Sequence, residues 1–224
     1  MQDYQRDFIE FMVSAGVLTF GDFVTKSGRR TPFFINTGNY RTGDQARRLG
    51  GFYAKALTAT FGQEFDVLFG PAYKGIPLAV AAAIALAAEH HRDVGYCFNR
   101  KEQKDHGEGG ALIGHKLRDG ERVVIIEDVI TAGTSVRETV PLLQAAAKVH
   151  LAGLIVGVDR MERGTGSRSA LQEVRATYAM PACAIVTLDE VVEHLHNRPL
   201  AGRVVLDDTM KARIDAYRAE YGAL

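Results

Sequence analysis

Apolar positions near the start of the chain recur at helical spacing. Phe8, Ile9, Met12 and Val13 share one stripe, and Gly16 suits the end of a helix over residues 3–16. The pattern then changes. Phe20, Phe23, Val24, Phe33, Phe34 and Ile35 lie in a stretch, 19–36, that reads as extended and is broken by the turn Lys26-Ser27-Gly28-Arg29. From residue 44 onward, short apolar runs alternate with longer periodic ones. Helices are expected over about 44–61, 76–89, 135–148, 168–178, 188–196 and 208–221, and strands over 66–69, 95–98, 122–127, 151–158 and 182–187.

Strands alternating with helices predict an α/β fold whose mostly parallel central sheet carries helices on both faces. The run Val123-Val124-Ile125-Ile126 is continuously apolar, as burial on two faces requires. Neither an internal repeat nor a linker is visible. Residues 1–224 are therefore expected to form one domain, with a small hood of about 40 N-terminal residues beside the main sheet. Residues 99–116 stand apart: they are charged, rich in glycine and nearly free of large apolar groups. A loop of that length inside a compact domain reads as a functional lid or a disordered segment.

Composition narrows the classes. With 46% hydrophobic and 24% charged residues, a packed core is within reach. The 27 basic and 27 acidic residues cancel, so no bulk attraction to nucleic acid or membrane is implied, although a local basic cluster can still hold a small anion. Cys97 and Cys183 sit in apolar runs and read as buried thiols of a reducing compartment. The first residues, Met1-Gln2-Asp3-Tyr4-Gln5, do not look like a signal peptide, and the apolar stretch Ile76 to Ala88 is too short to span a bilayer. The expectation is a soluble, cytoplasmic protein.

The chemistry concentrates in Val123-Val124-Ile125-Ile126-Glu127-Asp128-Val129-Ile130-Thr131-Ala132-Gly133-Thr134-Ser135. An apolar strand ends in two carboxylates, then small and hydroxylated residues lead into a helix. In an open α/β sheet, ligands bind at the carboxyl ends of strands. Backbone N–H groups of Thr131 to Ser135, the positive end of the next helix and three hydroxyls suit a phosphate dianion. Two carboxylates repel a phosphate but accept hydroxyl donors, so a ribose beside its 5′-phosphate satisfies both halves. The bland alternative is an acidic strand end before a helix capped by Thr134 or Ser135. The string is neither a Walker A loop nor a dinucleotide fingerprint.

The string resembles the motif with which type I phosphoribosyltransferases bind 5-phosphoribosyl 1-pyrophosphate (PRPP), and Ile-Thr-Ala-Gly-Thr-Ser resembles its orotate branch. Further blocks resemble the bacterial orotate enzymes in order and spacing: Tyr4-Gln5-Arg6, Lys26-Ser27-Gly28-Arg29, Phe69-Gly70-Pro71-Ala72-Tyr73-Lys74-Gly75-Ile76-Pro77, Asn99-Arg100-Lys101-Glu102 with Lys104-Asp105-His106-Gly107, and Asp159-Arg160 with Glu162-Arg163-Gly164. The acidic pair is Glu-Asp where some relatives have Asp-Asp, which leaves the role of Glu127 less defined than that of Asp128.

The resemblance implies transfer of phosphoribosyl from PRPP to N1 of orotate, giving orotidine 5′-monophosphate and pyrophosphate. It assigns Gly70 to Pro77 to the pyrophosphate, with Tyr73 and Lys74 on PRPP, and implies an unusual dihedral or a non-proline cis peptide between about Pro71 and Lys74. Arg100, Lys101, Lys104 and His106 put cations on the lid, which would neutralise the departing pyrophosphate in a site closed to water. By the same resemblance the lid reaches the neighbouring subunit of a homodimer. Arg160 meets orotate, with Arg163 and Arg168 as alternatives; the Phe34-Ile35 backbone reads its edge, Thr131 touches it, and Lys26 bridges toward PRPP. Mg²⁺ is expected on PRPP oxygens and water, with few or no protein ligands. Two other classes remain: a transferase for another base, and a regulatory protein that keeps the PRPP site and binds nucleic acid. The second should carry a recognition domain or a basic face, and neither is evident.

Overall fold

Successive residues of a strand point to opposite faces of its sheet, and here each face meets its own core. Val123, Ile125 and Val156 join one buried cluster, while Val124, Ile126 and Ile155 join the other. The computed structural model describes residues 1–25, 28–101, 111–130, 133–164 and 166–223. In chain order the elements are α1 (Asp3–Ser14), β1 (Leu18–Val24), β2 (Arg30–Ile35), a 3-10 turn (Thr37–Asn39), α2 (Gly43–Phe61), β3 (Val67–Phe69), α3 (Gly75–His90), β4 (Gly95–Asn99), β5 (Leu112–Gly114), β6 (Arg122–Val129), α4 (Thr134–Ala146), β7 (His150–Asp159), α5 (Ala170–Tyr178), β8 (Ala182–Thr187), α6 (Leu188–Leu195), β9 (Pro199–Leu200), β10 (Arg203–Val204) and α7 (Asp208–Tyr221).

The main sheet has the order β5-β4-β3-β6-β7-β8. Every neighbouring pair is parallel except β4 with β5. The fold is thus the α/β class that the alternation predicts. From the central pair the chain runs β3-α3-β4 toward one edge and β6-α4-β7-α5-β8 toward the other. Residues of α1, α2, α3 and α6 pack in one cluster and those of α4 and α5 in the other, as right-handed crossovers in opposite directions require. The carboxyl ends of β3 and β6 therefore part at a topological switch point.

Two stretches differ from the sequence reading. Leu112–Gly114, assigned to the loop 99–116, pairs antiparallel with β4 through Cys97↔Gly114, Phe98↔Ile113 and Asn99↔Leu112. Its two apolar residues, Leu112 and Ile113, are too few for a period to show. Pro199 to Val204 forms a hairpin that no period marks; its turn uses Ala201 and Gly202, both at positive φ (48° and 80°), the geometry of a two-residue connection. The β1–β2 hairpin is a sheet of its own, with an irregularity between Phe20 and Phe23. Arg213 of α7 ties it down, donating to the Gly21 carbonyl at 3.1 Å and pairing with Asp22. Among the described residues no helix is long and apolar enough to cross a membrane.

Candidate active site

Two loops rise where β3 and β6 part. The first, after β3, folds back tightly: the Gly75 N–H donates to the Pro71 carbonyl at 2.9 Å, and the Ala72 N–H donates to Asn99 Oδ1 at 2.8 Å. A Cβ on Gly70 would stand 2.0 Å from the Gly75 carbonyl oxygen, so this turn closes only around glycine. The Ala72–Tyr73 peptide is cis, inside the span where such a bond is expected. The loop sends Lys74 across the crevice. Its Nζ donates to Asp128 Oδ2 at 2.8 Å and to Thr37 Oγ1 at 3.0 Å. The Thr37 hydroxyl donates to the same Oδ2 at 2.5 Å, and Asp128 Oδ1 accepts the Val129 N–H at 2.8 Å. The Asp128 side chain is 11% exposed and that of Lys74 is 62%.

The second loop follows β6. Glu127 is buried, and its Oε1 accepts a hydrogen bond from the Ser135 hydroxyl. Burial pushes the Glu127 carboxyl up to about 6, against the opposing effect of that hydroxyl. Tyr53 of α2 fastens the strand end, donating its hydroxyl to the Glu127 carbonyl at 2.6 Å. Gly133, in the left-handed region (φ 65°), is the N-cap of α4 and brings no side-chain cap. Neither Thr134 nor Ser135 caps the helix: Ser135 serves Glu127, and Thr134 accepts from Arg137 at 3.2 Å. Among the described residues the N–H groups of the first turn of α4 thus have no side-chain acceptor, the condition under which a helix start receives an anion. Ile130 is buried behind the loop. Thr131 and Ala132 lie outside the described residues, as do Lys26, Lys104 and His106.

A cavity of about 290 Å³ opens beside the Lys74–Asp128 pair, lined by Ile35, Thr37, Tyr73, Lys74, Asp128 and the apolar side chains of Phe8 and Met12. Phe34 is exposed one residue away and stacks on Phe23 at 5.5 Å. Lys101 Nζ stands 5.5 Å from the centroid of the exposed Tyr73 ring. The Arg100 N–H donates to the Ala111 carbonyl at 2.9 Å, so the two sides of the charged segment meet at its base. A larger groove, about 760 Å³, lies between α1, α2 and the 199–205 hairpin and contains none of these residues.

Arg160 follows β7 and does not line the 290 Å³ cavity. Its Nε and Nη2 donate to Glu162 Oε1 at 2.9 and 2.6 Å, and its guanidinium lies 5.0 Å from the Phe33 ring centroid. The structure therefore gathers Tyr73, Lys74, Ile35 and Asp128 around one cavity and sets Arg160 in a neighbouring cluster. Sequence reasoning missed Thr37. It sits 91 positions from Asp128, and a threonine between a strand and a helix carries no signal of that contact.

The comparisons agree with this geometry. A family model described as the phosphoribosyl transferase domain matches residues 36–174. The chain is 58% identical over 223 residues to the orotate phosphoribosyltransferase of Clostridium beijerinckii, covering 100% of both chains. It is 59% identical over 222 residues to that of Lachnoclostridium phytofermentans, covering 99% of each. A crystal structure of the orotate phosphoribosyltransferase of Francisella tularensis superposes with a TM-score of 0.83 at 34% identity, covering 97% of this chain and 100% of that one. With full-length identity of this order, and with carboxylates, lysine and an open helix start meeting at the switch point, the chain belongs to the orotate phosphoribosyltransferase family.

Proposed function

We infer that the chain joins orotate to PRPP, forming orotidine 5′-monophosphate and pyrophosphate in pyrimidine biosynthesis. The observation that carries this reading is the Lys74–Asp128–Thr37 contact at the switch point, beside the uncapped start of α4. The 5′-phosphate takes the first-turn N–H groups of α4 together with the Thr134 hydroxyl, joined by that of Ser135 when it turns from Glu127. Asp128 and Glu127 accept the ribose hydroxyls and favour positive charge on the sugar. Orotate N1 attacks C1 as the C1–O bond to pyrophosphate breaks, with inversion. Lys74 turns from Asp128 to the pyrophosphate oxygens, where charge develops.

Magnesium fits this donor set as an ion carried on PRPP oxygens and water. Among the described residues no three His, Cys, Asp or Glu side chains converge, and both site carboxylates already accept from Ser135, Thr37 or Lys74. When bound, it supplies further neutralisation of the leaving group. Arg100, Lys101, Lys104 and His106 are assigned the same task, contributed across a homodimer. The helix α3 supports a dimer because it is apolar on nearly all sides yet leaves Ile84 exposed. Phe34, Ile35, Thr131 and Arg160 are assigned to orotate, and Lys26 to a bridge toward PRPP.

Mixing the protein with orotate, PRPP and Mg²⁺ and following the loss of orotate absorbance tests the reading. Steady loss dependent on all three components is expected. No loss with folded protein, or equal consumption of PRPP with hypoxanthine or uracil, overturns it.

A further inference from the structure

Glu162, which the proposed chemistry leaves without a role, is the centre of a cluster around Arg160. Its Oε1 accepts three hydrogen bonds: two from Arg160 and one from the Tyr217 hydroxyl at 2.8 Å. Its Oε2 accepts from Arg29 Nη1 at 3.3 Å. The side chains of Arg160 and Glu162 are each only 12% exposed. Aromatic rings wall the cluster. Arg160 lies over Phe33, whose ring meets that of Tyr217 edge-on at 5.7 Å, and Arg29 lies 4.3 Å from the Tyr221 ring centroid. The backbone is latched as well. Met161, at φ 55°, reverses the chain with its N–H on Asp159 Oδ1 at 2.8 Å. The Arg163 N–H donates to the Tyr221 carbonyl at 2.9 Å, and the Ala223 N–H donates to the Met161 carbonyl at 2.8 Å.

Three distant segments therefore fix one guanidinium: the loop after β7, the hairpin through Phe33 and Arg29, and α7. Glu162 holds the Nε–Nη2 edge of Arg160, which leaves Nη1 without a protein partner among the described residues. One carboxylate serves two guanidiniums, and the free Nη1 of Arg160 is suited to an oxygen of a planar anion.

We propose that Glu162, with Tyr217 of the C-terminal helix behind it, is a positioning residue that presents Arg160 to the carboxylate of the base and thereby selects an anionic pyrimidine over a neutral one. This rests on the assignment of orotate to Arg160. A double-mutant cycle tests it, with kcat/KM measured for orotate, for uracil (the same ring without the carboxylate) and for PRPP. Glu162→Gln keeps an acceptor but removes the charge. It should lower the orotate-to-uracil ratio of kcat/KM about tenfold and leave the KM for PRPP within about twofold, as loss of one charge-assisted orienting contact predicts. Tyr217→Phe should act in the same direction by about threefold. In an Arg160→Ala background the Glu162→Gln effect should vanish. Equal loss for all three substrates, or a full Glu162→Gln effect without Arg160, overturns the proposal while leaving the transferase reading intact. If Glu162→Gln does not fold, Tyr217→Phe alone decides: an unchanged ratio overturns the proposal. Absence of any product with the unaltered protein would remove both readings together.

Discussion

Two carboxylates in this molecule are held by the same pair of group types, a cation and a hydroxyl, and they behave differently. Asp128 has Lys74 and Thr37; Glu162 has Arg160 and Tyr217. At Asp128 the cation is 62% exposed and lies on a flexible stem, a point charge that can leave for a better acceptor at little cost. In the other pair Arg160 and Glu162 are each 12% exposed, and the planar guanidinium is gripped along one edge and stacked on a ring. On the proposed reading the first pair is a resting contact that a polyanionic substrate exchanges for its own oxygens. The second is preset. A site that must release pyrophosphate gains from a lysine that swings, whereas a site that must discriminate between flat rings gains from an arginine that does not.

The largest effect that sharpens the contrast is on turnover. Lys74→Ala should lower kcat about 100-fold, the scale for losing one group aimed at developing charge. Its melting behaviour should change less than that of Arg160→Ala, because the lysine end of the pair is exposed and Asp128 keeps the Thr37 hydroxyl and the Val129 N–H. Orotate consumption and thermal denaturation, run side by side, check both. Arg160→Ala should lose stability as well as orotate affinity. It leaves Glu162 half-paired in a buried place, at a cost of about 3 kcal/mol. If the two variants melt alike, the contrast between swinging and preset cations fails.

Glu127 supplies the next test, through pH. Its carboxyl is raised to about 6 by burial, so the folded chain holds a proton that the unfolded chain releases near 4.5. Stability from this group is therefore present at low pH and is lost as pH rises through about 4.5 to 6, by about 2 kcal/mol in all. Glu127→Gln should flatten the melting profile across that window. Over the same window the KM for PRPP of the unaltered protein should fall with rising pH, as the ionised carboxylate becomes able to accept ribose hydroxyls. A PRPP KM that is flat from pH 5 to 7 would separate Glu127 from the sugar. The smallest effect is expected at Thr37. Thr37→Val removes the hydroxyl shared by Lys74 and Asp128 and should change kcat/KM for PRPP about threefold, with Thr37→Ser restoring it.

Much of the fold was legible because hydrophobic periodicity is local. The continuous apolar runs of β6 and β7 announced strands buried on both faces, and the stripe Phe8, Ile9, Met12 announced α1. The edge strand β5 and the 199–204 hairpin were not legible, since strands of two or three residues are too short to carry a period and are made by their partners. The site divides in the same way. The carboxylates, the glycine turn after β3 and the loop into α4 are contiguous strings whose chemistry can be read in one dimension.

By itself, then, the sequence determined the order of helices and strands, the acidic strand end followed by a helix start without bulky side chains, and the family to which these strings correspond. Only the tertiary structure decided that Thr37 reaches Asp128, that Ser135 serves Glu127 rather than capping α4, and that Tyr217 stands behind Arg160 through Glu162, 55 positions away. The physical reason is that backbone patterns are set by neighbours along the chain. The partner of a buried charge is set by whichever groups the packed sheet and its flanking helices bring within about 3 Å of it.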